Sequence, residues 1–257
     1  MLPRYVVDTS QEDVAASGAS GAESVDEQIT NSANHDFQIP DSLLVVFDRF
    51  YDSYKNAENQ EKRFIFADSL AKAYKTVGKL DSMAKYTEIK AIENPTLENF
   101  IIAGDGYYEA FNFAIDKSRS ANLAGKVQEY YNRVLDENPS LLDIKAKLAM
   151  TYVAGSNPMQ GIMMLQEVLS KDPDNEVAIY NLGMLSITSG QYEKAIERFE
   201  TLEKLNPNNP EAHFYLGYCL YELGKTEESK PYFQKVLNLG ISGDLVKASE
   251  DYLKRIN

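Results

Sequence analysis

Three stretches of this chain repeat one another at an interval of 34 residues. Leu148, Leu182 and Leu216 keep that step, as do Ala149, Gly183 and Gly217. So do Gly161, Ala195 and Ser229, then Leu165, Phe199 and Phe233, and the prolines Pro139, Pro173 and Pro207. A period of this size belongs to a unit that cannot bury its apolar face alone and must stack on its copies. Inside each stretch the apolar residues recur at helical spacing. Leucine followed by a small residue on a first helix lets a second helix approach closely. The small residue on the second helix receives it, and an aromatic or leucine four positions later fills the gap. The proline then stops the second helix before the next unit begins.

The same pattern continues upstream in looser register. "FADSLAKAYKTVGKLDSMAKYTEIKAIENP" has Gly78 in its turn and ends in Pro95, although Met83 stands where the other units have a small residue. Pro95 and Pro139 are 44 residues apart, which predicts one unit with both helices lengthened. A helix over about 41–55, "DSLLVVFDRFYDSY", is expected to cap the front. A last one over about 242–256, with Leu245, Ala248, Tyr252, Leu253 and Ile256 on one face, is expected to cap the back. Terminal repeats must hide an apolar side, so such caps are needed.

"YNLGMLSITSGQYEKAIERFETLEKLNP" and its two neighbours resemble the tetratricopeptide repeat, a 34-residue helix–turn–helix unit, and the resemblance is strongest over 141–239. It implies an all-α fold: a right-handed superhelical solenoid of antiparallel helix pairs, about five repeats with capping helices, over 40–257. Residues 1–39 differ in kind. Seven acidic residues (Asp8, Glu12, Asp13, Glu23, Asp26, Glu27, Asp36) stand against Arg4 alone, with no repeating apolar face, and predict a disordered acidic tail or tether.

Composition narrows the function. The net charge is −13 and no basic run occurs, which argues against nucleic acid as a partner. One cysteine, Cys219, excludes an intrachain disulfide or a CxxC metal site, and its place on an inward face predicts an inert buried thiol. The sequence has no GxxxxGK[ST], HExxH or GxSxG. Its two histidines are His35, in the acidic segment, and His213, at a packing position of the repeat. "GDGYYEA" at 104–110 has no strand before it, so its glycines are expected to serve helix packing. These observations predict no catalytic residue, cofactor or metal ligand, and hence no enzyme.

What remains is the inner wall. The resemblance places groove-lining positions on the first helix of each unit, here Ala146, Met150, Val153, Tyr180, Asn181, Met184, Ile187, Phe214, Tyr215, Tyr218 and Tyr221. Of these, Met150, Tyr180, Asn181, Met184, Phe214, Tyr218 and Tyr221 are the groove candidates, with Asp143, Glu211 and Glu222 close by. Tetratricopeptide domains that hold chaperone C-terminal tails use Lys, Asn, Asn, Lys and Arg at places where this chain has Ala146, Met150, Asn181, Glu211 and Tyr215. Only Asn181 agrees, so a carboxylate clamp is not expected. An apolar, tyrosine-rich wall suits a peptide or helix from a protein partner, since tyrosine offers large contact area at low entropic cost. The alternative is that these rings half-cover an unoccupied wall.

Two further readings follow. The chain, including "NPMQGI" and "NLGMLSITSGQYEKA", is similar to bacterial membrane-anchored tetratricopeptide proteins in which a membrane helix precedes a segment like "LPRYVVD". That implies an omitted anchor, an envelope-facing domain, and an ancillary or chaperone-like role at the secretion translocon. A homo-oligomeric module is the other class. The residues themselves leave compartment, partner identity and oligomeric state open. Finally, "SNPMQGIMMLQEVLSKDP" is expected to be a second repeat helix. In it Asn157 is the N-cap, Pro158 opens the helix, Gln160 completes a capping-box-like pattern, and Gly161 is a packing residue. Met159 and Met163 then form an exposed, deformable patch on the convex side.

Overall fold

The computed structural model describes residues 41–256, so the acidic 1–39 segment and His35 lie outside the described residues. Twelve helices follow one another among them, with no strand. They are α1 (Asp41–Lys55), α2 (Gln60–Thr76), α3 (Leu80–Glu93), α4 (Leu97–Asn112), α5 (Lys117–Glu137), α6 (Leu142–Val153), α7 (Pro158–Lys171), α8 (Glu176–Thr188), α9 (Tyr192–Leu205), α10 (Pro210–Glu222), α11 (Thr226–Asn238) and α12 (Asp244–Ile256). They group into two compact units that divide at Pro139/Ser140. The predicted caps are present as α1 and α12, and the long 95–139 interval is filled by helices of 16 and 21 residues.

Two kinds of turn punctuate the chain. Between pairs, Asn94, Asn138, Asp172 and Asn206 each precede a proline and have φ between −141° and −135°. The proline ring pushes the residue before it out of the helical region, and the helix ends there. The next helix is then capped from its own sequence: Asn175 Oδ1 accepts from the Ala178 N–H at 3.0 Å, and Asn209 Oδ1 from the Ala212 N–H at 3.0 Å. Within pairs, Gly190 and Gly224 adopt φ of 70° and 76°. Those left-handed residues let Gln191 N–H reach the Ser186 carbonyl (2.8 Å) and Lys225 N–H the Leu220 carbonyl (2.9 Å), closing α8 and α10.

The α6–α7 turn departs from this scheme. It has no left-handed glycine, and Asn157 occupies the N-cap position without a side-chain bond to a backbone N–H. Its Nδ2 donates instead to Gln160 Oε1 at 2.9 Å. The expected capping box is therefore corrected to a side-chain pair. At φ −132° and ψ 59°, Asn157 is not in the extended conformation from which its oxygen would meet the third helical N–H.

In the 140–256 unit the repeat positions pack as the spacing implied. Leu165, Phe199 and Phe233 are wholly buried, as are Ala195 and Ser229, and Gly161 is buried too. A Cβ on Gly183 would stand 2.7 Å from Phe199 Cζ, and one on Gly217 would stand 2.9 Å from Phe233 Cε1. Each ring thus lies directly on the small residue of the preceding helix. Full burial of such a side chain contributes roughly 1.5–3 kcal/mol. Leu245, Val246, Ala248, Tyr252, Leu253 and Ile256 of α12 pack against this core, with Tyr252 stacked on Phe233 at 5.0 Å.

In the unit of residues 41–139, Gly104 and Gly106 sit inside α4, where the Tyr131 ring and the Thr87 hydroxyl fill the space a Cβ would take. They are packing glycines, as expected. Nothing in the sequence reading anticipated Glu88 of α3. Its residue is 7% exposed, and its carboxylate accepts from Tyr107 Oη (2.6 Å), Tyr130 Oη (2.5 Å) and Lys126 Nζ (2.9 Å). Burial first, then the Glu88 charge and hydrogen bond, push the Tyr107 hydroxyl far above its ordinary pKa. Burial is the largest single influence on Lys126 and opposes its charge, but the bond and charge of Glu88 together with Glu129 outweigh it and raise the lysine. One carboxylate therefore satisfies three donors across α3, α4 and α5.

Two stability measurements test these contacts. Gly161→Ala raises helix propensity, yet its Cβ would collide with the Ala149 carbonyl oxygen and stand 2.8 Å from the Val153 backbone nitrogen. It should lower the unfolding free energy by about 1–3 kcal/mol, read as a lower urea midpoint; a stabilised variant would show that α6 and α7 are not this close. Glu88→Ala should cost on the order of 3 kcal/mol by stranding three donors, and Glu88→Gln clearly less. Equal losses for the two would deny the carboxylate this role.

Candidate functional site

The first helices α6, α8 and α10 of the 140–256 unit carry the expected wall, and burial sorts its members. Met150 and Phe214 have no exposed surface, and Asn181 and Met184 are 2% and 5% exposed. These four of the seven groove candidates are corrected to core, together with Ala146, Val153 and Tyr215. The helix face they occupy is covered by the rings and aliphatic side chains of the following pair and of α12: Phe214 meets Phe233 at 5.9 Å and Tyr252 at 6.1 Å. Tyr180, Tyr218 and Tyr221 remain half-buried, with Ile187.

The surviving rings form a connected set to which the sequence reading did not assign Tyr192 and Tyr252. Tyr180 lies edge-on to Tyr215 at 6.0 Å, and Tyr215 stacks on Phe199 at 5.1 Å. Tyr192 of α9 meets Tyr218 at 6.2 Å, and Tyr252 of α12 meets Tyr218 at 6.0 Å and Tyr221 at 5.0 Å. Their edge-to-face geometry is the favourable one for aromatic pairs. The missed signal was Tyr252, named as an apolar capping residue although its spacing from Ala248 also turns it toward α10.

Two carboxylates bracket the rings. Glu211, Tyr215, Tyr218 and Glu222 stand at i, i+4, i+7 and i+11 of α10, one stripe along the helix. Both glutamates are exposed, and neither has an ion pair or hydrogen bond among the described residues. Packed surroundings raise the pKa of the Glu211 carboxyl. Burial, followed by the Glu222 charge, raises the Tyr218 hydroxyl well above its ordinary value. The only charged side chains on α8 and α10 are Glu176, Glu211 and Glu222. No cation therefore stands where a carboxylate-holding clamp needs one.

The other candidates resolve simply. His213 is 3% exposed, with Nε2 2.9 Å from the Pro207 carbonyl oxygen, and its place is structural. Cys219 is fully buried, and burial, reinforced by Glu222, pushes its thiol up to about 12. On α7, Met159 and Met163 are 64% and 63% exposed, while Met164 is half-buried and Leu165 buried. The two methionines border an open depression with Asn157, Gln160 and Glu167. Among the described residues no group of His, Cys, Asp and Glu is arranged to hold a metal ion, and no helix is long and apolar enough to cross a membrane.

Family models for the tetratricopeptide repeat match residues 157–205 and 210–240, and a TPR-repeat model matches 187–224. Residues 157–240 of this chain are thus tetratricopeptide repeats. A TPR repeat-containing protein of Borreliella burgdorferi is 27% identical over 40% of this chain and 50% of its own length. Another, from Methanocaldococcus jannaschii, is 25% identical over 78% of this chain and 37% of its own length. The chain thus spans half or less of these two curated relatives. Among solved structures it is similar to MamA from Desulfovibrio magneticus RS-1, at 17% identity and a TM-score of 0.45, covering 69% of this chain and 94% of that one. Tetratricopeptide repeats serve protein–protein interaction, and the repeat is typically a scaffold without catalysis.

The buried thiol gives a direct check on the packing of α10. At pH 8 a disulfide reagent such as DTNB should leave Cys219 unmodified in the native chain and titrate one thiol after unfolding in urea. Rapid native reaction would mean that α10 is not seated as described.

Proposed function

We propose that the chain is a non-enzymatic interaction scaffold that holds a peptide or helix of a protein partner against the tyrosine face of α8 and α10. The observation that carries this reading is the row of half-buried tyrosines, Tyr180, Tyr218 and Tyr221. It is flanked by Tyr192 and Tyr252 and left with open ring surface in a repeat family that serves protein interaction. Tyrosine at such a surface gives contact area with two side-chain torsions to immobilise and a hydroxyl for orientation.

The test is a random-peptide display selection on the immobilised full-length chain, followed by titration of the selected peptides. Tyr180→Ala and Tyr218→Ala should each weaken binding at least tenfold, as expected for aromatic anchors. Phe214→Ala is unsuitable because Phe214 is wholly buried and its loss would damage the core. Circular dichroism must show the helical signal unchanged in both tyrosine variants. Selected peptides that bind both variants as well as the parent would overturn the groove reading, as would a selection that yields none.

A further inference from the structure

Lysines pair with some second-helix carboxylates of the 140–256 unit: Glu167 is 2.6 Å from Lys145 Nζ and 2.9 Å from Lys171 Nζ, Glu203 is 2.6 Å from Lys235 Nζ, and Glu227 is 2.9 Å from Lys230 Nζ. Glu193, Glu197, Glu200 and Glu228 on the same helices have no ion pair among the described residues. Glu211 and Glu222 have none either, but they stand in line with the tyrosines of α10, and neither α8 nor α10 carries a lysine or arginine.

We propose that the occupant of this face is a polypeptide segment with two cationic side chains about 16 Å apart and apolar residues between them, one cation meeting Glu211 and the other Glu222. The proposal rests on the groove reading and names the chemistry of its partner. The distance is that of eleven residues along α10 at about 1.5 Å each. An extended segment spans it in about five residues and a helical one in about eleven. Between the two carboxylates lies the half-buried Tyr218, with Tyr180 and Tyr192 beside it and the buried Tyr215 beneath, so apolar side chains of the segment meet ring surface. Tyrosine faces also attract cations, and the wall already contains one such contact: the Arg255 guanidinium lies 5.3 Å from the centre of the Tyr252 ring. A cation arriving at Glu211 would favour its charged form and so offset the desolvation that now disfavours that charge. The polarity is the reverse of a site for a C-terminal carboxylate.

The experiment begins from the displayed peptides of the preceding section. The tyrosine-dependent pool should be enriched in Lys and Arg pairs four or six positions apart, if extended, or eleven apart, if helical. A labelled, end-blocked peptide with arginines four residues apart, on one face of an extended segment, and Leu and Phe between them should bind at least tenfold tighter than the same peptide with citrulline, which keeps the shape and removes the charge. A second peptide, helical and with arginines eleven apart, distinguishes the two conformations. Glu211→Gln and Glu222→Gln should each weaken the arginine peptide roughly three- to fivefold at low salt. Glu211→Lys with Glu222→Lys should abolish its binding and admit a peptide with glutamates in place of the arginines. Glu227→Gln with Glu228→Gln on α11 controls for overall charge and should leave affinity unchanged. A tyrosine-dependent pool without cations, equal affinity for the arginine and citrulline peptides, or loss in the α11 control equal to that in the α10 variants would overturn the proposal and leave the groove reading standing. An empty pool would overturn both.

Discussion

The helix pairs depend on one contact, the ring or leucine of a second helix laid on the small residue of the first. Phe199 on Gly183 and Phe233 on Gly217 leave no room for even one additional carbon. That closeness sets the separation of the two helices and buries the plug completely. It also turns the remaining faces of the first helix toward the neighbouring pair and toward solvent. Which tyrosines stay open on α8 and α10 follows from it. Positions 181, 184, 214 and 215 rotate inward with the glycines, whereas 180, 218 and 221 lie at the margin.

The period of 34 made the helix pairs, their turns and both caps legible, because small residues, plugs and prolines each act locally and recur. The capping of α7 was not legible. Asn157 has the right residue type, and only its backbone angles decide that its amide pairs with Gln160 instead. The candidate wall was legible in position but not in depth. A register names the face of a helix, whereas burial depends on what the next pair and α12 place over it, and Tyr252 supplies much of that cover. Glu88 was hidden for a different reason. A carboxylate on an apolar stripe, between Ala84 and Ala91, is a visible anomaly, but its partners are 19, 38 and 42 residues away on two other helices.

The chain thus uses tyrosine in two ways. Around Glu88 the phenols are donors, enclosed and fully committed to a buried charge, and such a network confers geometry at the cost of desolvation. On α8 and α10 the phenols are surface. Their rings support one another edge to face, and charge stands at the ends of the row instead of beneath it. The first arrangement orders three helices of one unit. The second leaves chemistry unspent at the margin of the other.

The chain contains 17 tyrosines and no tryptophan. Around Tyr218 the rings lie 5.0–6.2 Å from their neighbours, close enough for electronic excitation to pass among them. Ultraviolet light absorbed by any of these tyrosines is therefore shared along the row. An indole brought to that surface would be the lowest-energy acceptor there and would collect the excitation as its own emission. The wall that is shaped for contact is, by the same ring spacing, an antenna.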